Sequence, residues 1–316
     1  MSATLNTASG GPEPLEVVAL WDWSEDRDVV DLLRQACLDR NIRFTDYAGD
    51  QVPGFFELPE TSRHSVRIVF DRVSDVQPDI ICFLMRMALD GATVINDPEK
   101  INWCRDKATM HLELLSSGIR VPYGIIISTA DHPASQLVME MTADKLGSPF
   151  VIKPAQGGGG DGVVLNARSP LDVRDYLIKT GADKIVLQRK IMPRLLDQRR
   201  GWFRVFWVFG HIIPCWWDDL THVYTPLSCE DETALGLRRL YSITSLVARL
   251  SKMDLFTTEI AMDEDGELVA VDFVNEMPDL RLQSKHANGV PDDVIKRIVA
   301  IILDTLKLGS SAPCYR

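Results

Sequence analysis

Residues 153–163 read Lys-Pro-Ala-Gln-Gly-Gly-Gly-Gly-Asp-Gly-Val, which puts five glycines into the six positions 157–162. Glycine loses more backbone freedom on folding than any other residue, so such a run belongs neither inside a helix nor inside a strand. Its flanks, PFVIKP (149–154) and GVVLNA (162–167), are short apolar runs with a high share of β-branched residues. The segment therefore reads as a hairpin whose connection is the glycine loop. A loop of this composition lets a ligand approach the backbone closely and lets N–H groups curl around an anion. Lys153, closing the incoming strand, would add a point charge for the same phosphates; a mobile loop tip is the plainer alternative. Neither GxxxxGK[ST] nor a GxGxxG opening a first helix is present, so the two commonest nucleotide motifs are excluded.

The rest of the 316-residue chain is long enough for two or three sub-domains around connected cores. LEVVAL (15–20) fits a buried strand, and Asp26–Leu38 fits a helix with Val29, Leu33, Ala36 and Cys37 on one face. IRFTDYA, VRIVF and DIICFLM are further strand candidates before VIND at 94–97. This alternation predicts a parallel α/β domain of about one hundred residues, with a ligand site where strands end in Trp21-Asp22-Trp23 and Asp71-Arg72. From Asp97-Pro98 a helix is expected through DKATMHLELLSSG to Gly118, followed by the strand YGIIIS. Beyond the glycine hairpin come a helix at 170–179, the strand KIVLQRKI, the strand-rich FRVFWVFGHIIPCWW and a helix around 234–252. TTEIAMDEDGELVAVDFVN then reads as two strands joined by an Asp-Gly turn. A last helix, DDVIKRIVAIILDTL, carries Val294, Ile295, Ile298, Ile302 and Leu306 on one stripe.

The Asp265-Gly266 turn places Glu259 and Asp272 opposite one another on neighbouring strands, with Asn275 three residues further on. Two like charges so placed repel, unless a cation lies between them. Mg²⁺ suits such oxygen ligands; two solvated carboxylates on an exposed sheet face are the alternative. Arg204 interrupts the apolar strand Phe203-Val205-Phe206. Turned inward it needs an anion such as a phosphate, and turned outward it needs nothing.

Taken in order, Lys107 at a helix start after Ile-Asn-Asp, Lys153 with its glycine loop, VLQRKI, Arg204, and then Glu259, Asp272 and Asn275 resemble an ATP-grasp enzyme of the carboxylate–amine ligase type. The resemblance spans about residues 94–282. It implies an α/β fold, α+β in the grasp, with a Rossmann-like pre-grasp substrate domain at 1–104 behind a flexible N-terminal tail. A grasp lid sub-domain at 105–188 and a C-terminal grasp sub-domain with the metal site at 189–316 would follow. It further implies that Lys107 and Lys153 contact the α- and β-phosphates of ATP, and that Gly157, Gly158, Gly159 and Gly160 fold over the β,γ-phosphates. Gln188, Arg189, Lys190 and Ile191 become the hinge that reads adenine through backbone groups. Arg204 faces the γ-phosphate or the forming acyl phosphate. Glu259, Asp272 and Asn275 hold Mg²⁺, two ions in this family, with Mn²⁺ as a substitute.

Three departures stand out. Gln188-Arg189 occupies the place of the usual acidic hinge residue. Trp202 stands two before the arginine where an acid is common, which leaves Asp197 as the ribose candidate. The Asp272–Asn275 spacing is one residue longer than Glu-x-Asn, so either Asn275 or Glu276 completes the metal site.

The activity implied is amide formation: a carboxylate attacks the γ-phosphoryl, an amine attacks the acyl phosphate, and ADP and phosphate leave. A small-molecule kinase with Asp218 or His222 as base, or a non-catalytic ATP-binding protein, is the alternative. Arg281 and Arg72 are candidate clamps for a substrate carboxylate, or surface salt bridges. Cys215-Trp216-Trp217-Asp218-Asp219 with His222 and Tyr224 either lines the same pocket or packs the core. A net charge of −11 speaks against nucleic acid as a partner. No apolar run reaches the ~20 residues of a membrane span, and residues 1–14 lack the order of a signal peptide. Six scattered cysteines fit free thiols rather than zinc ligands or disulfides. A cytoplasmic enzyme acting on small-molecule carboxylates and amines is the expectation, with a homodimer left open.

Overall fold

The computed structural model describes residues 15–128, 144–158 and 160–308. The N-terminal tail, Gly159 and Cys314 therefore lie outside the described residues. The chain divides into two compact units, residues 1–98 with 302–316, and residues 99–301.

The first unit is built on four short strands, β1 (Val17–Trp21), β2 (Phe44–Ala48), β3 (Ile68–Arg72) and β4 (Thr93–Ile95), all parallel in the order β2-β1-β3-β4. β1 and β3 are buried along their whole length, as expected of central strands covered on both faces. The helix Arg27–Asp39 turns Val29, Leu33 and Cys37 inward, as its spacing requires. DIICFLM is corrected: after Pro78 the chain forms a short 3₁₀ turn and then the helix Ile81–Leu89. Ile80, Leu84 and Met87 face the core while Phe83 and Leu89 stay exposed, a helical spacing inside a run apolar enough to pass for a strand.

Arg72 also departs from its expected role. Its guanidinium Nε and Nη2 donate to Asp26 Oδ1 at 3.1 and 2.8 Å, and both side chains are only 3% exposed. It is a buried ion pair at the end of β3, neither a surface salt bridge nor a free clamp. Beside it, Asp71 accepts from the Val73 and Ser74 amides, and burial pushes its carboxyl pKa up.

The second unit holds two antiparallel sheets. β5 (Gly124–Ser128), β6 (Phe150–Pro154), β7 (Val164–Ala167) and β8 (Lys184–Arg189) are ordered β5-β8-β6-β7, so the glycine hairpin forms as read from the sequence. The helix Pro170–Thr180 covers this sheet with Val173, Tyr176 and Leu177, and a Ser169/Asp172 capping box starts it. A two-residue hairpin joins β9 (Leu195–Leu196) to β10 (Arg199–Arg200). Then β11 (Trp202–Val208), β12 (His211–Trp217), β13 (Tyr224–Pro226), β14 (Leu255–Met262) and β15 (Leu268–Asn275) make a sheet ordered β13-β12-β11-β14-β15.

Strand alternation gives that sheet two different faces. Phe203, Val205, Trp207, Trp216, Phe256 and Ile260 enter a core shared with Leu240, Ile243 and Val247 of the helix Arg239–Ser251. Trp202, Arg204, Trp217 and Glu259 belong to the other face. The helix expected from 97 to 118 is split in two, Pro98–Arg105 and Lys107–Ser116. Asp106 breaks it by accepting from the Ala108 and Thr109 amides, which makes it the N-cap of the second helix and Lys107 its first residue. Among the described residues no helix is long and apolar enough to cross a membrane.

The Asp26–Arg72 pair yields a prediction. Asp26→Ala leaves a guanidinium buried without its carboxylate and should cost about 3–5 kcal/mol of stability, read from urea unfolding. A loss within 1 kcal/mol, as for exposed pairs, would show that Arg72 reaches water and is free to bind a ligand.

Candidate active site

Lys153 reaches the site because it ends β6, directly before the glycine loop leaves the sheet. Its ammonium is buried, donates to Val271 O at 3.1 Å and lies 3.7 Å from Asp272 Oδ1. Lys107 arrives from a separate element, the start of its helix, where its own amide donates to Ala155 O at 2.8 Å. Its Nζ donates to Gly157 O, so the lysine grips the loop. Burial lowers the Lys107 pKa, Asp272 and Glu276 act against that, and Lys153 adds to it. Two lysines far apart in sequence thus converge on one loop and one carboxylate.

The loop itself uses its glycines. Gly157, Gly160 and Gly162 have φ of +117°, +80° and +71°, a region that side chains disfavour. A Cβ on Gly162 would stand 3.2 Å from the Tyr176 hydroxyl, and one on Gly158 would stand 4.0 Å from Glu276 Oε1. The loop therefore lies against the acidic end of β15. Glu276 also faces Arg105, with Nε 3.5 Å from Oε1. The sequence reading missed this arginine, two residues before Lys107.

Glu259 and Asp272 are cross-strand neighbours as expected, although the register leaving the turn is one residue off the expected one and a shift beside Glu259 restores the pairing. The turn closes through Gly266 N to Asp263 O at 3.0 Å, with Gly266 at φ +83°. The register shifts on both sides of the carboxylate pair, and Asn275 stands opposite Thr257. Each of the two acids has its own protein cation, so their closeness does not by itself call for a bound metal. Arg204, opposite Glu259 on β11, donates to Glu259 Oε1, and Trp202 Nε1 donates to Oε2 at 3.2 Å. Asp272 has Lys153. Among the described residues no group of three or more His, Cys, Asp or Glu side chains is gathered as a cation cage. The donors Glu259, Asp272, Asn275 and Glu276 are nonetheless all hard oxygens at one end of one hairpin, a set whose chemistry fits Mg²⁺.

Arg204 is turned inward. Its guanidinium stacks 4.6 Å over the Trp217 ring and donates to the Tyr224 hydroxyl at 3.0 Å. Burial works against its charge, yet Glu259 and Tyr224 hold its pKa above the ordinary value. Burial likewise pushes Tyr224 up to about 12. The two tryptophans expected to act together part company: Trp216 packs in the core, and Trp217 joins Trp202, Tyr224 and His222 around Arg204.

Other candidates are occupied elsewhere. Arg281 is held by Asp279, Nη2 to Oδ2 at 2.6 Å, at the head of a loop where the Val290 amide donates to Arg281 O. Asp218 accepts from the Leu220 and Thr221 amides, and these bonds, that from Thr221 above all, lower its pKa. In the expected hinge Gln188 is buried, Arg189 donates to Lys145 O and Lys190 to Asn166 Oδ1 at 2.8 Å. Ile191 follows just beyond β8. Asp197 sits exposed in the β9–β10 turn with φ +45°, and no hydrogen bond or ion pair among the described residues joins it to the lysines.

His111 was also missed, although it stands one helical turn after Lys107 on the same face. It is buried, its ring packs on Phe273 and against Gly124, and its Nδ1 has no hydrogen-bond partner among the described residues. Burial lowers its pKa, and Lys153 adds to the effect. The folded state thus disfavours the imidazolium. Stability is complete above the unfolded pKa near 6.5 and falls as pH drops below it. His111→Gln, which cannot take up a proton, should flatten the melting-temperature profile between about pH 7 and pH 5. A profile unchanged by the substitution would show that His111 is solvated.

With this geometry in hand, the fold can be compared. It is the ATP-grasp fold. The chain superimposes on D-alanine–D-alanine ligase from Bacillus anthracis, solved with ATP, with a TM-score of 0.65 at 14% identity, covering 93% of this chain and 98% of that one. D-cycloserine synthetase DcsG gives 0.64 at 13% identity, over 92% and 99%. The macrocyclase MdnC from Microcystis aeruginosa, bound with its precursor peptide, gives 0.64 at 10% identity, over 91% and 99%. In sequence, 117 residues are 26% identical to N5-carboxyaminoimidazole ribonucleotide synthase from Mycobacterium tuberculosis. That match spans 37% of this chain and 25% of that enzyme. No family model matches the chain.

Proposed function

We propose that this protein is an ATP-dependent carboxylate–amine ligase that forms an amide bond through an acyl phosphate and releases ADP and phosphate. The observation that carries this reading is the convergence of Lys107 and Lys153 on Asp272, with Lys107 also bonded to the glycine loop. The neighbours in fold are consistent with it: the D-alanine–D-alanine ligase was solved with ATP, and a second ATP-grasp ligase, PsnB, with a precursor peptide and AMPPNP.

In this reading residues 105–188 form the lid over the nucleotide, behind a pre-grasp substrate domain at 1–104, and 189–316 supply the acidic end. Lys107 and Lys153 exchange their present partners, Gly157 O and Asp272, for ATP phosphate oxygens. Gly157, Gly158, Gly159 and Gly160 offer backbone N–H groups to the β,γ-phosphates, and Gln188–Ile191 border adenine. Glu259, Asp272 and Asn275, with Glu276 in reach, would hold Mg²⁺, two ions by family resemblance and with Mn²⁺ as substitute. The metal's charge, when bound, offsets the charge on the phosphates. Arg204 faces the γ-phosphoryl as a substrate carboxylate attacks it, and an amine then displaces the phosphate. No protein nucleophile is needed, because positioning and electrostatics lower the barrier. Arg281, fixed by Asp279, borders the acceptor side. The substrates are small-molecule carboxylates and amines, the compartment is the cytoplasm, and nucleic acid and membrane play no part; a homodimer stays open.

A kinase is less well supported, since it needs a general base and Asp218 is committed to two backbone amides that keep it a weak one.

The test is release of ADP and phosphate from MgATP with amino acids and other carboxylates supplied in pairs. Equal release with one pair, lowered at least a thousandfold in Lys153→Ala and in Asp272→Ala while circular dichroism stays unchanged, is the expected outcome. ADP without free phosphate would establish a kinase. Either variant within tenfold of the unaltered protein would remove that residue from the mechanism.

A further inference from the structure

The site face of the five-stranded sheet carries two buried hydrogen-bond donors with no acceptor among the described residues. They are the Arg204 Nε–H and the Trp217 indole Nε1–H. A buried N–H without an acceptor is costly, so two such groups on one face need an explanation. The Arg204 guanidinium lies 4.6 Å from the Trp217 ring centroid, and the two strands that carry these residues are paired. Neither group is loose. Arg204 is fixed through its other nitrogens by Glu259 and Tyr224, which leaves Nε alone unserved. The Trp217 ring is stacked on His222, centroids 5.1 Å apart and planes 9° from parallel, and meets Tyr224 edge-on at 6.5 Å. The neighbouring tryptophans show that this sequence places indole N–H groups on acceptors when one is at hand. Trp202 donates to Glu259, Trp207 to Met253 O and Trp216 to Asp231. The Trp217 indole N–H has no acceptor among the described residues.

We infer that Trp217 is a ligand-binding residue, whose indole N–H forms with the Arg204 Nε–H a two-donor cradle for an oxygen of a bound oxyanion. The inference rests on the ligase reading and deepens it. It adds a neutral, directional donor beside the arginine, one that the sequence pattern does not announce. Arg204 keeps Glu259 and Tyr224 while it binds, and because both nitrogens are closed to solvent, the oxyanion reaches them only as the surrounding side chains part. The shared chemistry is an oxyanion, and it has two sources here: the transferring phosphoryl group and the substrate carboxylate.

The two sources are separated by observing the indole N–H directly. The chain has seven tryptophans, whose ¹H–¹⁵N indole signals are few enough to follow one by one. The Trp217 signal is the one missing from Trp217→Phe, and it is also marked by cross-relaxation with the His222 ring. On MgADP with aluminium fluoride, which stands in for the phosphoryl group, or on MgADP with sodium acetate, that signal should move downfield. Whichever probe moves it names the source. The same probe should bind Trp217→Phe about tenfold more weakly, with MgADP affinity unchanged, as for one lost hydrogen bond to a charged group. A Trp217 signal that neither probe moves, in protein that binds MgATP, overturns the inference. Failure to bind MgATP overturns the nucleotide reading itself, and the inference falls with it.

Discussion

The site depends on a line of alternating charge that runs Arg204, Glu259, Asp272, Lys153. Three of the four stand on adjacent strands of one sheet, and the fourth comes from the other sheet of the same unit. Each carboxylate is flanked by a cation, so the like-charged neighbours at the centre of the hairpin are tolerated without a bound metal. Lys153 also donates to the backbone of β15 through Val271 O, which ties the glycine hairpin to the acidic strand. Because the line is neutral as it stands, each group is held in place by the next. On the proposed reading, the arrangement is preorganised for a polyanion and its counter-ion.

Much of this was legible in the sequence, for identifiable reasons. An Asp-Gly turn fixes where a hairpin folds, which brought Glu259 and Asp272 near one another, and a register shift beside Glu259 then sets them directly opposite. A dense run of glycine has few homes other than a loop that something approaches closely, so 157–162 announced itself. The strict alternation of β11 and β12 separated core residues from site residues once the sheet was known. It could not say beforehand which of Trp216 and Trp217 would face which way, since both neighbours are apolar.

What escaped the sequence reading escaped on physical grounds. DIICFLM is apolar at almost every position, so its period was hidden and a helix passed for a strand. Asp106 split a helix because a side chain that can accept two amide bonds competes with the helical ladder, a choice decided by local geometry. Arg105, His111 and the committed partners of Arg72 and Arg281 depend on contacts between elements distant in the chain or on loop conformation. Of these, only His111 had a local signal, its placement one turn after Lys107.

The grip of Lys107 on Gly157 O, set beside the pairing of Lys153 with Asp272, bears on how the site meets an ionic medium. Cations that wait in water collect counter-ions, and a ligand that displaces them is weakened by every increment of salt. Here the two lysines already hold protein oxygens in a partly dry setting. On the proposed reading, an arriving phosphate takes the place of a protein oxygen instead of stripping an ion cloud. A highly charged ligand would thus be held with a shallow ionic-strength dependence, and a chain of net charge −11 could retain it in concentrated salt.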